Sequence, residues 1–401
     1  MPNSNFVVHN GLTVGTTTIT ATTGEITKNN VSVFSSLSTL AGNVTTLAGN
    51  ITSLTTLTAN SVLRTSTTGS AILPSGNTAQ RDSAPVAGYI RWNQTTVAFE
   101  GYSGITWIPV SGEVPDNKII NGNFDLWQVG ASLVSGTGLR YLADQWQNNS
   151  LGTTYTAARV AHVVGQTAVP NEPQFFHRTV VTSVAGVGNF CQFRQLIENV
   201  RNYAGKTVTL SFYAKADVAK NIAVEFVQNF GLGGTPSVNV DSIGVTTLAL
   251  TAAFQKFSVT VAIPSISGKV LGTTENTSIC QFNFWFEAGA NFNTRTNSLG
   301  QQSGTFDISQ VWIEEGSQST KFPLRLLQQE LALCQRYYFT GIFIIRTTAA
   351  YTDITTPVTM RVNPTLSGGG AGFAVAFAGT TVNSVSQTTL AGQTIVFDAR
   401  F

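Results

Sequence analysis

Residues 37–54 read LSTLAGNVTTLAGNITSL, and within them Leu37, Leu40, Val44, Leu47, Ile51 and Leu54 recur in alternating steps of three and four. That spacing is a heptad seam. The seven-residue unit repeats almost letter for letter, as LAGNVTT and LAGNITS, and carries no charge. Gly42 and Gly49 each cost about 1 kcal/mol in a helix interior, and no i,i+4 ion pair offsets them. A lone helix of this composition is unstable in water, so the seam predicts several copies of the chain wound together. Val44 and Ile51 at a with leucines at d favour a dimer. Ala41 and Ala48 at e widen the apolar face and leave the number of chains open between two and three. At 1.5 Å per residue the stretch makes a stalk of roughly 27 Å.

What the seam connects is set by composition. The chain has 401 residues, enough for two or three domains. Only 10% of them are charged while 42% are apolar, so Ser, Thr, Asn and Gly cover the surface. Disorder normally combines high charge with few aromatics; a rigid β scaffold with a neutral, hydroxyl-rich surface fits better. A net charge of +2 gives no reason to expect nucleic acid or an anionic membrane as partner. The start, MPNSNFVVHN, shows no signal peptide, and no apolar run is long enough to span a bilayer. Cys191, Cys280 and Cys334 read as buried thiols of a chain folded in a reducing cytoplasm.

In chain order, residues 1–32 are short β-like phrases with turns at Asn10-Gly11 and Thr23-Gly24, an attachment segment with too little apolar mass for its own core. The coiled-coil stalk (33–58) and a linker (59–72) follow. Residues 73–112 form a small β module in which Trp92, Phe99, Tyr102 and Trp107 fill a core shared between chains. The largest unit, 118–323, has strands at 208–212, 223–226, 257–261 and 281–285 separated by Gly, Asn and Pro turns, which predicts a jelly-roll β-sandwich. Leu324, Leu327, Leu331, Cys334 and Tyr338 make one helical stripe, so 324–339 reads as a connector helix with Pro323 in its first turn. Residues 340–401 return to strands as a C-terminal β tip. The fold class is mainly β, an elongated multi-domain fibre.

Catalytic chemistry is poorly served. Glycan cleavage needs two carboxylates flanking one bond, and the close pair Glu314-Glu315 would point to opposite faces of a strand. No repeat of the length a β-helix requires is present. His9, His162 and His177 lack metal or nucleophile spacing. SGGGAG at 367–372 lacks the Lys-Ser/Thr of a phosphate loop and reads as a turn. Trp127, Trp146, Trp285 and Trp312 read as core packing.

Three stretches resemble tail-fibre proteins of tailed bacteriophages. TAQRDSAPVAGYIRWN at 78–93 with FEGY at 99–102 resembles a small fibre module placed after a coiled coil. KIINGNFDLWQ at 118–128 with ADQW at 143–146 resembles the opening of a carbohydrate-binding-module-like jelly roll. FDISQVWIEEGSQSTKFPLR at 306–325, running into LALCQRYYF, resembles its closing strand and connector helix. The resemblance implies a homotrimer in the virion, made in the host cytoplasm, held to other tail or baseplate proteins by its N-terminus. Its distal end would adsorb to a host surface glycan or outer-membrane receptor without catalysis. In such jelly rolls the first and last strands often share a calcium ion, which would fall to Asn123 and Asp125, beside Asn121, with Asp307; oxygen ligands suit calcium. Receptor contact is expected in the tip, at Tyr351, Asp353, Ser367, Gly369 and Asn383, on loops beside short side chains. A purely structural adaptor is the second reading and a glycan depolymerase the third.

Overall fold

The computed structural model describes residues 12–14, 17–19, 26–28, 31–32, 39–48, 73–110, 117–344, 352–368, 373–386 and 392–401. The chain divides into two compact units, Met1–Ser111 and Gly112–Phe401. It is mainly β in both.

In the first unit, β1 (Leu12–Val14), β2 (Thr17–Ile19), β3 (Ile26–Lys28) and β4 (Val31–Ser32) pair in sequence order as an antiparallel sheet. Helix α1 covers 39–48. Its threonines hydrogen-bond back into the preceding turn, Thr45 Oγ1 to the Ala41 carbonyl and Thr46 Oγ1 to the Gly42 carbonyl, each at 3.0 Å. The three seam residues it carries, Leu40, Val44 and Leu47, are 58–60% exposed on this single chain; Leu37, Ile51 and Leu54 lie outside the described residues.

Four strands make the small module: β5 (Ser75–Gly76), β6 (Ile90–Asn93), β7 (Ala98–Tyr102) and β8 (Trp107–Pro109). One face is a polar network. Glu100 is buried and takes a fork from Arg81 at 2.6 and 3.1 Å and the Asn93 amide at 2.9 Å. Arg91 donates to the carbonyls of Gln80 and Asn77, fixing the turn that Asn77 and Gln80 cap. The hydrogen bond from Arg81 holds the Glu100 carboxyl below its ordinary range. The opposite face is apolar and largely uncovered, with Ile90, Phe99, Ile108 and Val110 all exposed. Trp107 is buried against Tyr102, while Phe99 meets Trp92 edge-on at 4.9 Å.

The second unit is a jelly-roll-like β-sandwich with a small β domain docked on it. The sandwich strands are β9 (Ser132–Gly136), β10 (Arg140–Tyr141), β11 (Trp146–Leu151), β12 (Thr154–Ala161), β13 (Phe175–Thr182), β14 (Phe190–Glu198), β15 (Thr207–Ala216), β16 (Lys220–Asn229), β17 (Val240–Leu250), β18 (Gln255–Ala262), β19 (Ile279–Ala288) and β20 (Gly304–Glu315). One sheet runs β10-β11-β14-β19-β16-β17 and the other β18-β15-β20-β13-β12-β9. The four strands expected at 208–212, 223–226, 257–261 and 281–285 lie within β15, β16, β18 and β19. Aromatic rings bridge the layers: Phe212 meets Phe284 at 4.7 Å, and Phe286 stacks on Phe306 at 4.8 Å.

A polar thread crosses this core. Asn148 of one sheet donates to Thr179 Oγ1 of the other at 2.9 Å, and the same hydroxyl meets His177 Nε2 at 2.9 Å. His177 is fully buried and stacked on Phe193 with 3.9 Å between ring centres. Burial pushes its pKa down to about 3, so the ring is neutral. Cys191, Cys280 and Cys334 are buried thiols, and burial pushes Cys280 up to about 12.

The KIINGNF stretch works as a clamp on β20. Asn117 Oδ1 accepts from the Ile313 amide at 3.1 Å, and the Gly122 carbonyl accepts from the Val311 amide at 2.9 Å. A Cβ at Gly122 would lie 2.1 Å from the Val311 carbonyl oxygen, so a side chain there would break the clamp.

The connector helix is shorter than expected. A short turn α2 (Asn293–Thr296) precedes β20, and helix α3 covers Leu327–Gln335 instead of 324–339. Leu326 is extended, and Arg325 is pinned outside the helix by donating to the carbonyls of Ile119 and Asn117. Leu324 and Leu327 are more than half exposed, Cys334 is buried, and Tyr338 has left the helix for a strand. The tip consists of β21 (Tyr338–Ile344), β22 (Thr352–Thr355), β23 (Thr365–Gly368), β24 (Ala374–Ala378), β25 (Val382–Ser386) and β26 (Gly392–Asp398). They form sheets β21-β26-β23 and β22-β25-β24 around Ile354, Met360, Val385, Ile395 and Phe397.

Candidate functional site

Three of the tip residues expected to touch a receptor, Asp353, Ser367 and Asn383, lie among the described residues, and they do not share one sheet face. Asp353 is exposed on β22 and accepts from the Ser384 hydroxyl across the strand pair. Asn383 is fully buried on β25, its Oδ1 accepting from the Gly379 amide at 3.2 Å. It packs the tip and is not a surface contact, because its place on β25 turns the amide inward. Ser367 is exposed on β23, in the other three-stranded sheet. Tyr351 and Gly369 lie outside the described residues, as does His9.

The carboxylates assigned to calcium are used in a different way. Asp307 is buried and held by Arg178 through a fork at 2.7 and 2.8 Å, with Lys215 3.5 Å away. Asp125 accepts from the Asn123 amide at 2.9 Å, and burial, followed by the nearby Glu330, raises its pKa against that bond. Asn121 is occupied by the backbone, donating to the Leu126 and Asp144 carbonyls. No hydrogen bond or ion pair among the described residues links Asp307 to Asn123 or Asp125. Among the described residues no three His, Cys, Asp or Glu side chains are grouped as a metal would need. Glu314 and Glu315 diverge as strand geometry dictates: Glu314 is buried and accepts from Trp312 Nε1 at 2.9 Å, while Glu315 faces Lys206 at 2.5 Å.

The arrangement that strand spacing alone does not reveal is on the outer face of the first sheet. Residues directly opposite on paired strands share a face. The register places Tyr141, Gln147, Arg194, Asn283 and Glu225 in one row across β10, β11, β14, β19 and β16. The next row holds Asn149, Gln192, Trp285 and Ala223. The alternation QFNFW at 281–285 is the local reason: Phe282 and Phe284 go to the core, and Gln281, Asn283 and Trp285 to this face.

The rows are wired together. Gln281 donates to Asn283 Oδ1 at 3.0 Å, and Asn283 donates to Glu225 Oε2 at 2.9 Å. Glu225 also accepts Trp285 Nε1 at 3.0 Å and a fork from Arg295 at 2.6 and 2.9 Å. Its charge is thus matched within the face. Trp285 is buried as expected, but in a satellite cluster with Ala223 and Ala288 and with Phe190 and Phe292 packed against it. Trp146 and Trp312 are also buried, while Trp127 is half-buried. Toward the other edge, Arg194 Nε donates to Gln147 Oε1 at 2.8 Å, and Gln147 donates to the Tyr141 hydroxyl. Gln192 is 4% exposed and its Oε1 has no partner among the described residues. Gln147, Asn283, Glu225, Gln192 and Trp285 are buried in the two rows, so the half-buried Tyr141, Asn149 and Arg194 are the groups that can exchange hydrogen bonds with a ligand rich in hydroxyls.

No family model matches the chain, and no curated protein matches it. Solved structures that it resembles are a CBM4 domain (20% identity over 49% of this chain and 98% of that one, TM-score 0.28) and the CBM22-1 xylan-binding domain from Paenibacillus barcinonensis (9% identity, 52% and 100%, TM-score 0.28). A third is the enzymatically active domain of bacteriophage CBA120 tailspike protein 4, at 14% identity over 50% of this chain and 21% of that one, TM-score 0.28.

Proposed function

We propose that this protein is a non-enzymatic glycan-binding component of a phage tail fibre, working as a homotrimer that adsorbs to the host cell surface. The observation that carries the glycan part is the polar outer face of the sandwich, where the half-buried Tyr141, Asn149 and Arg194 stand beside the buried Gln147, Asn283 and Glu225. The trimeric fibre rests on the sequence resemblance and on two apolar surfaces left uncovered in the first unit, the α1 seam and the Ile90–Phe99–Ile108 sheet face. Three copies would let individually weak glycan contacts add through avidity. The N-terminal strands would serve attachment to other tail or baseplate proteins. The tip remains the second place for receptor contact, because Asp353 and Ser367 are exposed there. An exchange separates the two. Residues 340–401 are transplanted onto a fibre of different host range and adsorption is measured. Adsorption that stays with the original 118–323 sandwich supports the face; adsorption that moves with the tip overturns it.

A further inference from the structure

Arg194 stands apart from the other half-buried arginines of the second unit, each of which is ion-paired, while the exposed Arg140, Arg159 and Arg201 face water. Arg178, Arg295 and Arg336 each fork onto a carboxylate. Arg194 is half-buried on the candidate face and makes one hydrogen bond among the described residues, Nε to Gln147, with no acid beside it. The titratable groups that act on it are the Tyr141 hydroxyl and the Arg295 guanidinium, and burial outweighs both in pushing its pKa down to about 10. Arg295 brings no surplus acid, because Glu225 is already matched to it. Arg400, over the Tyr141 ring at 4.1 Å, is matched to Asp398 at 2.5 Å. One row away the buried Gln192 Oε1 also has no partner among the described residues. A cation removed from bulk water without a counter-charge is unfavourable, and a planar fork of donors fits the two oxygens of a carboxylate or phosphate.

We infer that the glycan taken by this face is anionic, and that its carboxylate or phosphate sits on the Arg194 guanidinium. Gln147 positions the guanidinium through Nε, leaving its two terminal amino groups for the ligand. This inference rests on the glycan-binding reading and narrows it from saccharides in general to acidic ones.

The test is isothermal titration of the full chain with oligogalacturonate and hyaluronan oligosaccharides, which carry carboxylates, with phosphomannan, and with neutral xylo-oligosaccharides. The acidic ligands are expected to bind more tightly, and weaker at 500 than at 50 mM salt because screening reaches exposed charges. Arg194→Gln is expected to weaken them by about 10- to 100-fold, clearly more than it weakens the neutral ligands, and Arg194→Lys to restore part of the loss. Preference between the carboxylate and phosphate arms identifies the group. If acidic ligands bind no better than neutral ones, or Arg194→Gln leaves them untouched, the inference is overturned and the glycan reading stands. If no saccharide binds the parent at either salt, both are overturned. Should Arg194→Gln fail to fold, the salt dependence and the lysine variant decide.

Discussion

Glu198, the last residue of β14, grips Arg336, just beyond α3, through two hydrogen bonds at 2.6 and 3.0 Å, and the same carboxylate accepts the Tyr337 hydroxyl at 2.9 Å. This is the join between sandwich and tip. Arg361 and Asn276 reinforce it by exchanging backbone-directed bonds at 2.6 and 3.1 Å, and Tyr141 donates to the Phe401 carbonyl at 3.1 Å. The tip is seated on the sandwich by polar contacts, so its hold can be loosened without disturbing either core.

Glu198→Gln is expected to lower stability by about 2 kcal/mol, since hydrogen bonds to charged groups are the strong ones. Chemical denaturation should show it, and limited proteolysis should release 340–401 faster than the 118–323 sandwich is cut. Unchanged digestion would mean that the join does not depend on this carboxylate.

The neutral His177 makes stability depend on pH. Its folded pKa lies at about 3, below the ordinary 6.5, so the unfolded chain binds the extra proton. The contribution is intact above pH 6.5 and is lost as pH falls toward 3, at up to about 1.4 kcal/mol per pH unit. The stability difference between the parent and His177→Phe should therefore shrink from pH 7 to pH 4.5. A difference that stays flat would show that burial does not hold the ring neutral.

Asp307 is matched by Arg178 and Lys215. Excess chelator should leave the melting temperature unchanged, while Asp307→Ala, which strands two cations, should cost about 3 kcal/mol. A chelator-sensitive melting curve would restore the calcium reading.

The uncovered leucines of α1 and the apolar sheet face at Ile90, Phe99 and Ile108 lead to the expectation of a monodisperse trimer by light scattering at micromolar concentration. Val44→Lys with Leu47→Lys should weaken but not abolish it, because the small module has its own apolar face. A monomer in the parent protein would refute the assembly.

Legibility followed the range of the interactions. The alternation in Val208–Phe212 and Gln281–Trp285 is local, so strands and their inward residues could be read directly. The start of α3 could not, because what delays it is Arg325 donating to the carbonyls of Ile119 and Asn117, distant in sequence. Asn383 looked like a loop residue among short side chains, yet it lies within a strand and faces inward.

The sequence by itself determined a mainly β chain, a heptad seam without charge, buried thiols and a sandwich with a separate tip, because periodicity and turn residues act within a few positions of one another. Tertiary structure decided which polar residues meet. Gln147, Arg194, Asn283 and Glu225 are scattered over four strands, and only antiparallel register sets them side by side. The same register gave Asp307 its Arg178 and Lys215 and left Arg194 without an acid, since which charge ends opposite which is fixed by pairing across the sheet and not by distance along the chain.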